Sequence, residues 1–271
     1  MSEYMTMCKE LKELGYEIHL RLCLYYNKYV KNPFLTKVLS QKTIDFFDSI
    51  EETYSGIHSM EFEDYKYGFS AHHPQSPGQH RWDVFFDVFP EIQLYNKRLS
   101  IHYLLTEKID FITPKFSNLI EENAKKFANS MGDNYNFFHI RVYDDGESDE
   151  GIDLISSNVE NVISQDNKMF HIGSNNAKLV NKLKNNPKVK TYEFTTLSVI
   201  DNDMNTVIHT EINDDEVFLT RVIDTLSEMV SIQYSDMIYH SGYYNWSSSF
   251  LFYGVLMSGK KEDKFKRINY K

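Results

Sequence analysis

The residues of this chain whose types and spacing point to chemistry lie near its middle. The run Phe137-Phe138-His139-Ile140-Arg141-Val142-Tyr143-Asp144 closes in His139-x-Arg141-x-x-Asp144 and passes into the acidic loop Asp145-Gly146-Glu147-Ser148. A guanidinium donates parallel hydrogen bonds from a planar fork and keeps its charge, which suits it to gripping a diphosphate. In open α/β sheets, ligands bind just beyond the carboxyl ends of the strands. We therefore expect a buried strand that carries Arg141, His139 and Asp144 to a sheet edge, where they hold a nucleotide diphosphate. The same pattern also serves as a plain ion pair between Arg141 and Asp144, and the acidic loop as a solvated turn. Oxygen-rich loops can bind divalent cations, but the spacing and terminal glutamate of a calcium loop are absent. No metal site is expected.

Two further segments offer ligand contacts. Phe170-His171-Ile172-Gly173-Ser174-Asn175 reads as a strand closing in Gly-Ser ahead of a helix, whose free N–H groups can receive a ligand oxygen. Ser174 and Asn175 are thus candidate ligand contacts, with helix capping by either as the alternative. Ser247-Ser248-Ser249-Phe250 precedes the apolar stretch Leu251 to Met257, so hydroxyls again sit at a helix start, where they cap or bind phosphate. His72, His73 and His80 lie in a loop with two prolines and a glycine among them, and no acid or cysteine completes a metal geometry. Asn245-Trp246-Ser247 is a formal glycosylation sequon, relevant only in a secretory compartment. There is no nucleophile elbow, no Walker-type loop and no Cys/His pairing for covalent catalysis.

The elements that must position these residues follow from hydrophobic periodicity. The chain opens as a helix over about 3–15, stopped near Gly15, then an alternating strand over 18–24. Residues 34–50 read as an amphipathic helix, and 111–131 as another, with Phe116, Leu119, Ile120, Ala124 and Phe127 on its apolar face. From there strands and helices alternate: strand 135–142, helix 152–164, strand 168–172, helix 175–184, strand 189–194, helix 215–229, strand 237–239 and helix 248–257. That alternation implies a mostly parallel, three-layer α/β sheet. Residues 131–271 make a nucleotide-binding lobe and 1–130 a second lobe.

Bulk composition narrows the class. With 271 residues, 41% hydrophobic and 15% aromatic, the chain has ample material for a core and is not generally disordered. A net charge of −10 argues against a general nucleic-acid binder or a docker on anionic membrane. Cys8 and Cys23 are too few for a disulfide framework and read as structural thiols in a reducing compartment. No apolar run approaches the roughly 20 residues that cross a bilayer, and Met1 to Thr6 lacks the pattern of a secretory signal. The expectation is a cytoplasmic protein without stable membrane insertion.

Together these segments resemble the fucosyltransferase superfamily that carries an H-x-R-x-x-D motif. His139-Ile140-Arg141-Val142-Tyr143-Asp144 matches that motif at every defined position. The α1,2 branch also has a late block N-S-S-F-S-W-W-G-A, and Ser247 to Val255 runs parallel to it, keeping two serines, the Phe, an aromatic pair and the Gly. Phe170 to Asn175 falls where the family has a strand ending in Ser/Thr-Asp. The resemblance covers about 135–258 and is closest to the α1,2-like branch. It implies a GT-B-like fold with two Rossmann-type lobes and mostly parallel sheets, a GDP-sugar donor such as GDP-fucose, a glycan or glycoprotein acceptor, inversion at the anomeric carbon and no obligatory metal or other cofactor. By the same resemblance Arg141 binds the diphosphate, His139 supports the site, Asp144 orients Arg141 or contacts the donor, and Ser248, Ser249 and Phe250 line the nucleotide pocket.

The chain departs from the family at several points, among them an apparent insertion over Tyr243 to Trp246. It begins at what corresponds to the first helix, without the preceding strand and G-G-L-G-N turn, so that either its start lies upstream or it is a shortened member. Asn175 replaces the family's aspartate, and Phe252-Tyr253 replaces its Trp pair. The alternative function is therefore a catalytically lapsed glycan- or nucleotide-binding protein that keeps the fold. Candidates for the general base of transfer are His72, His73, Asp83 and Glu91.

Overall fold

The computed structural model describes residues 2–15, 17–23, 37–53, 112–132, 134–142, 148–194, 215–241, 249–260 and 262–268. They fall into two compact units, one made of the described residues up to 53 with 112–115, the other of those from 116 onward.

In the first unit, helix α1 (Ser2–Glu13) is followed by strand β1 (His19–Cys23), as its periodicity predicts. β1 pairs in parallel with β2 (Ser49–Thr53), His19 opposite Ser49. Asp48 ties the start of this pair to α1, accepting from the Ile18 N–H at 2.7 Å and from Lys12 Nζ at 3.1 Å. Cys8 is buried on α1, and burial pushes its thiol up to about 11 against a partial pull from Lys12.

The helix expected over 34–50 is not continuous among its described residues. Residues 37–38 are helical, the run breaks at 39–40, and a short helix, α2 (Gln41–Ile44), precedes β2. Two side chains break the run. The Ser40 hydroxyl caps α2, and the Thr43 hydroxyl is buried, donating to the Lys115 carbonyl at 2.9 Å while accepting from the Lys115 N–H at 2.7 Å. Residue types that compete for local backbone groups thus end a helix that periodicity alone would continue.

The second unit contains a five-stranded, all-parallel sheet: β3 (Asn136–Ile140), β4 (Phe170–Ser174), β5 (Val189–Lys190), β6 (Ile238–Ser241) and β7 (Phe265–Arg267), in the order β5-β4-β3-β6-β7. The chain is thus of the α/β class with a parallel sheet, as its alternating elements imply. β3 is the central strand and all five of its residues are buried, which explains why its sequence is a continuous run rather than an alternation. Phe138, Ile140 and Val142 face one way, packing with Ile172 and Tyr239 against α4 (Asp149–Ser164) and α5 (Ala177–Leu183). Phe137 faces the other way, with Ile238, toward Leu251 and Val255 of α7 (Ser249–Ser258).

Capping accounts for the helix starts. Ser148 accepts from the Gly151 N–H at 3.1 Å to begin α4, whose buried Ile152, Ile155, Val159 and Ile163 recur at helical spacing. Lys178 and Lys182 of α5 pair with Asp149 and Asp153 of α4 on the outer surface. The helix expected over 111–131 begins later: 112–117 is non-helical and α3 spans Asn118–Met131, with Ser117 at its N-cap. Pro114 disfavours helical backbone in the residue before it.

Helix α6 (Asp215–Ser231) departs from an ordinary amphipathic pattern. Arg221, Asp224, Ser227, Glu228 and Ser231 are all buried. Two of the contacts they make lead to the sheet. Glu228 Oε1 lies 3.0 Å from Nε2 of fully buried His171 on β4, and Ser227 hydrogen-bonds the Tyr192 hydroxyl beyond β5. Gly173 leaves room for this pairing, since a Cβ there would sit 3.2 Å from Glu228 Oε1 and 3.0 Å from Phe137 Cζ. At the amino ends of the strands, Asp236 is held between Lys168 and Lys264, and the hydrogen bonds from those lysines lower its carboxyl to about 2.

Gly254 lets α7 approach the short turn of helix over Ile232–Tyr234. A Cβ at 254 would lie 2.3 Å from Ile232 Cδ1 and 3.3 Å from the Met229 carbonyl oxygen. Gly254→Ala is expected to destabilise the fold by about 1–3 kcal/mol, the usual cost of overpacking a closed core. A denaturant midpoint equal to that of the unmodified chain would contradict this packing.

Candidate functional site

The strand order places a topological switch point between β3 and β6, because β4 and β5 continue to one side of β3 while β6 and β7 continue to the other. Connections leaving two such neighbouring strands run to opposite faces, opening a crevice at their carboxyl ends. Arg141 is the first residue beyond β3 at this crevice. It is half-buried, and its backbone N–H donates to the Ser241 carbonyl at 3.3 Å, so the β3–β6 ladder persists to Arg141. Val142 still packs on the α4 side, and strict alternation then assigns Arg141 to the face of His139 and α7.

His139 lies immediately below Arg141 and is buried. Its ring stacks on Phe250 of α7 with centroids 5.5 Å apart and 20° between planes, and on Phe137 at 6.4 Å and 13°. The Phe250 contact fixes the first turn of α7 over the end of β3. Burial, with the charges of His240, Arg141 and His171, lowers His139 to about 3. A neutral ring can lie between aromatic faces without bringing a second charge under Arg141.

Ser174 and Asn175 stand at the end of the adjacent strand, Ser174 being the register partner of Ile140. The Ser174 Oγ accepts from the Asn176 N–H at 3.2 Å and shapes the exit from β4. The cap of α5 is Asn176 rather than Ser174 or Asn175, accepting from the Leu179 N–H at 2.9 Å. The Asn175 carboxamide is bonded twice to one residue: Oδ1 accepts from the Val142 N–H at 2.9 Å, and Nδ2 donates to the Val142 carbonyl at 3.0 Å. His139, Arg141, Ser174, Asn175 and Phe250 thus come together around the end of β3. Asp144 and Ser248, with His72, His73, His80, Asp83 and Glu91, lie outside the described residues. Ser249 is the first residue of α7, and its side chain is not among those described.

Two residues at the crevice were not singled out from the sequence. Ser241 ends β6 opposite Ile140, is 2% exposed, and its hydroxyl has no hydrogen-bond partner among the described residues. Buried hydroxyls are ordinarily paired, so this one is suited to a ligand oxygen. His240 is the register partner of His139, packs its ring 4.7 Å from that of Phe265, and is lowered to about 4 by burial and by Arg267. The strand expected over 237–239 stops short of both. The available signal was Ser241-Gly242 closing an apolar run, in the way Gly173-Ser174 closes β4.

These two histidines give the fold a definite acid response. Both are neutral when folded and take up protons in the unfolded chain below their ordinary value of 6.5. The unfolded state therefore binds more protons from there down to about 4 for His240 and about 3 for His139, and stability falls as pH falls through that window. The limiting slope is about 1.4 kcal/mol per pH unit for each histidine. Asp236, whose ordinary value is 3.8, acts only at the acid end of that range. Denaturant midpoints measured across this range should fall with acid, and less steeply in His240→Phe; equal slopes would show that His240 does not titrate on unfolding.

Among the described residues, no three His, Cys, Asp or Glu side chains are grouped so as to hold a metal ion, and no helix is long and apolar enough to cross a membrane. No protein-family model matches the chain, and no curated protein matches it. Among solved structures it is similar to NodZ alpha-1,6-fucosyltransferase soaked with GDP-fucose, with a TM-score of 0.35 and 10% identity, over 53% of this chain and 43% of that one. NodZ co-crystallised with GDP gives a TM-score of 0.35 and 11% identity over the same shares, 53% and 43%. The chain therefore spans less than half the length of these structures.

Proposed function

We propose that this chain is a glycosyltransferase-like protein that binds a GDP-sugar, with fucose the favoured sugar, and transfers it to a glycan or glycoprotein acceptor. The observation that carries the reading is Arg141, a permanent cation held beyond the central strand of a parallel sheet at its switch point. Anionic nucleotides bind at such crevices in open α/β sheets. Further support comes from the H-x-R-x-x-D motif, from the stacking of His139 on Phe250, and from Ser241, whose backbone is bonded to Arg141 and whose hydroxyl has no partner among the described residues.

In this reading the unit that carries the five-stranded sheet is the donor lobe of a GT-B-like enzyme and the other unit its acceptor lobe. Arg141 holds the diphosphate and stabilises the negative charge that gathers on it as the glycosidic bond breaks. His139 stays neutral and carries the aromatic stack beneath the arginine. Asp144, Ser248, Ser249 and Phe250 complete the donor pocket, with Ser174 at its β4 edge. Charge stabilisation by arginine lets departure of the nucleotide proceed without a metal. A base from the acceptor lobe removes the proton of the attacking hydroxyl.

A second reading, a lapsed donor-binding protein, is favoured by Asn175, which stands at the family's acidic position with its amide already bonded to Val142. The two separate in one assay. The protein is incubated with GDP-fucose and a mixture of glycan acceptors, and GDP release is followed. Acceptor-dependent release supports the enzyme. GDP binding without release leaves the lapsed reading, and release from UDP-sugars alone overturns the choice of donor.

A further inference from the structure

We propose that Asn175 is a positioning residue for Arg141, its carboxamide standing in for the strand that the next residue, Val142, would otherwise lack on one side. In a parallel sheet, the N–H and C=O of one residue point to the same neighbouring strand, and successive residues alternate between neighbours. Arg141 turns its N–H to β6, where Ser241 accepts it at 3.3 Å. Val142 turns both its groups to the β4 side, but β4 ends at Ser174 and the chain departs into α5 behind the Asn176 cap. The Asn175 side chain fills that place, with bonds of 2.9 Å from the Val142 N–H and 3.0 Å to its carbonyl. A carboxamide presents one acceptor and one donor in this geometry, as an ionised carboxylate does not, so the two bonds also fix which way the amide points.

The consequence is that the backbone on either side of the Arg141 side chain is held, from β6 at residue 141 and from Asn175 at residue 142. An aspartate here would accept from the Val142 N–H but set its second oxygen against the Val142 carbonyl. Asparagine at this position thus has its own physical reason, and it commits the side chain to the fold rather than to a ligand. The functional half of this inference rests on the reading of Arg141 as the diphosphate contact, since orientation of a fixed cation matters only if it meets an anion.

The test combines residue-resolved amide hydrogen exchange with calorimetric titration of GDP on the full chain carrying Asn175→Ala or Asn175→Asp. Ile163→Val, at the far end of α4, serves as a destabilised control. We expect exchange to quicken at Arg141 and Val142 while 136–140 stays protected, and GDP affinity to drop about tenfold, the size of coupling found within one bonded network. The control should bind GDP like the unmodified chain. Asn175→Asp is isosteric, and its defect should shrink as acid protonates the new carboxyl and restores a donor. Unchanged protection at Val142, or protection lost evenly along β3, overturns the proposal, as does full GDP affinity in both variants. Exchange requires no nucleotide. A chain that never binds GDP would end the donor reading, and protection at Val142 would still decide the clamp.

Discussion

Arg141→Ala is expected to weaken GDP binding by about 10²-fold, close to 3 kcal/mol, with the thermal midpoint of the free protein little changed. The residue lies one position beyond β3, where its backbone N–H carries the ladder to β6, and it is half-buried, so the core beneath it does not depend on its side chain. Its expected worth is electrostatic. A guanidinium facing a diphosphate in a partly dehydrated crevice makes charge-assisted, bidentate contacts that water competes with poorly. Arg141→Lys should recover only part of the loss, because an ammonium supplies the charge without the planar fork. If Arg141→Ala binds GDP as well as the unmodified chain, the diphosphate is not held at the end of β3.

The second large effect concerns stability. Glu228→Ala is expected to cost roughly 3 kcal/mol of folding free energy, read from denaturant unfolding, because it leaves a fully buried imidazole nitrogen without its partner. His171 lies within the sheet, flanked by Phe127 at 4.5 Å and Phe137 at 4.8 Å between ring centroids, and Glu228 Oε1 is the acceptor within reach of its Nε2. The truncation also empties space beside Gly173, where Glu228 and Phe137 meet the backbone closely. Glu228→Gln preserves an acceptor oxygen at the same place and should retain most of the stability. Equal losses in the two variants would show that charge, rather than the hydrogen bond, holds α6 to β4.

What the sequence made legible follows from how its signals arise. Strand β3 is readable because a central parallel strand is buried on both faces, which writes Phe137, Phe138 and Ile140 as one apolar run. Its end is readable because Arg141 breaks that run. The helix α4 is readable from Ile152, Ile155, Val159 and Ile163, though its start lies three residues before the expected 152 because the cap is polar. Other features left no periodic trace. Strand β7 is three residues long, half-buried to exposed, and rich in charge, so nothing in Phe265-Lys266-Arg267 marks it as a strand.

The polar stripe of α6 was illegible for the opposite reason. Arg221, Asp224 and Glu228 look like a solvated face, and the contacts that bury this stripe, among them Glu228 with His171 and Ser227 with Tyr192, cross between layers and leave no periodic trace. At the site, residue types suggested Asn175 but could not assign its role. That depends on where β4 ends relative to Val142, a matter of register between strands thirty residues apart. Ser241 went unnoticed because one serine carries no signal until a neighbouring strand gives it a place.

The most direct test of the central claim is calorimetric titration of GDP, with UDP in parallel, into the unmodified chain. The account predicts saturable GDP binding at one site, with UDP markedly weaker. A folded protein that binds neither nucleotide, or binds UDP in preference, would contradict the assignment of a GDP-sugar site to the switch point beside Arg141.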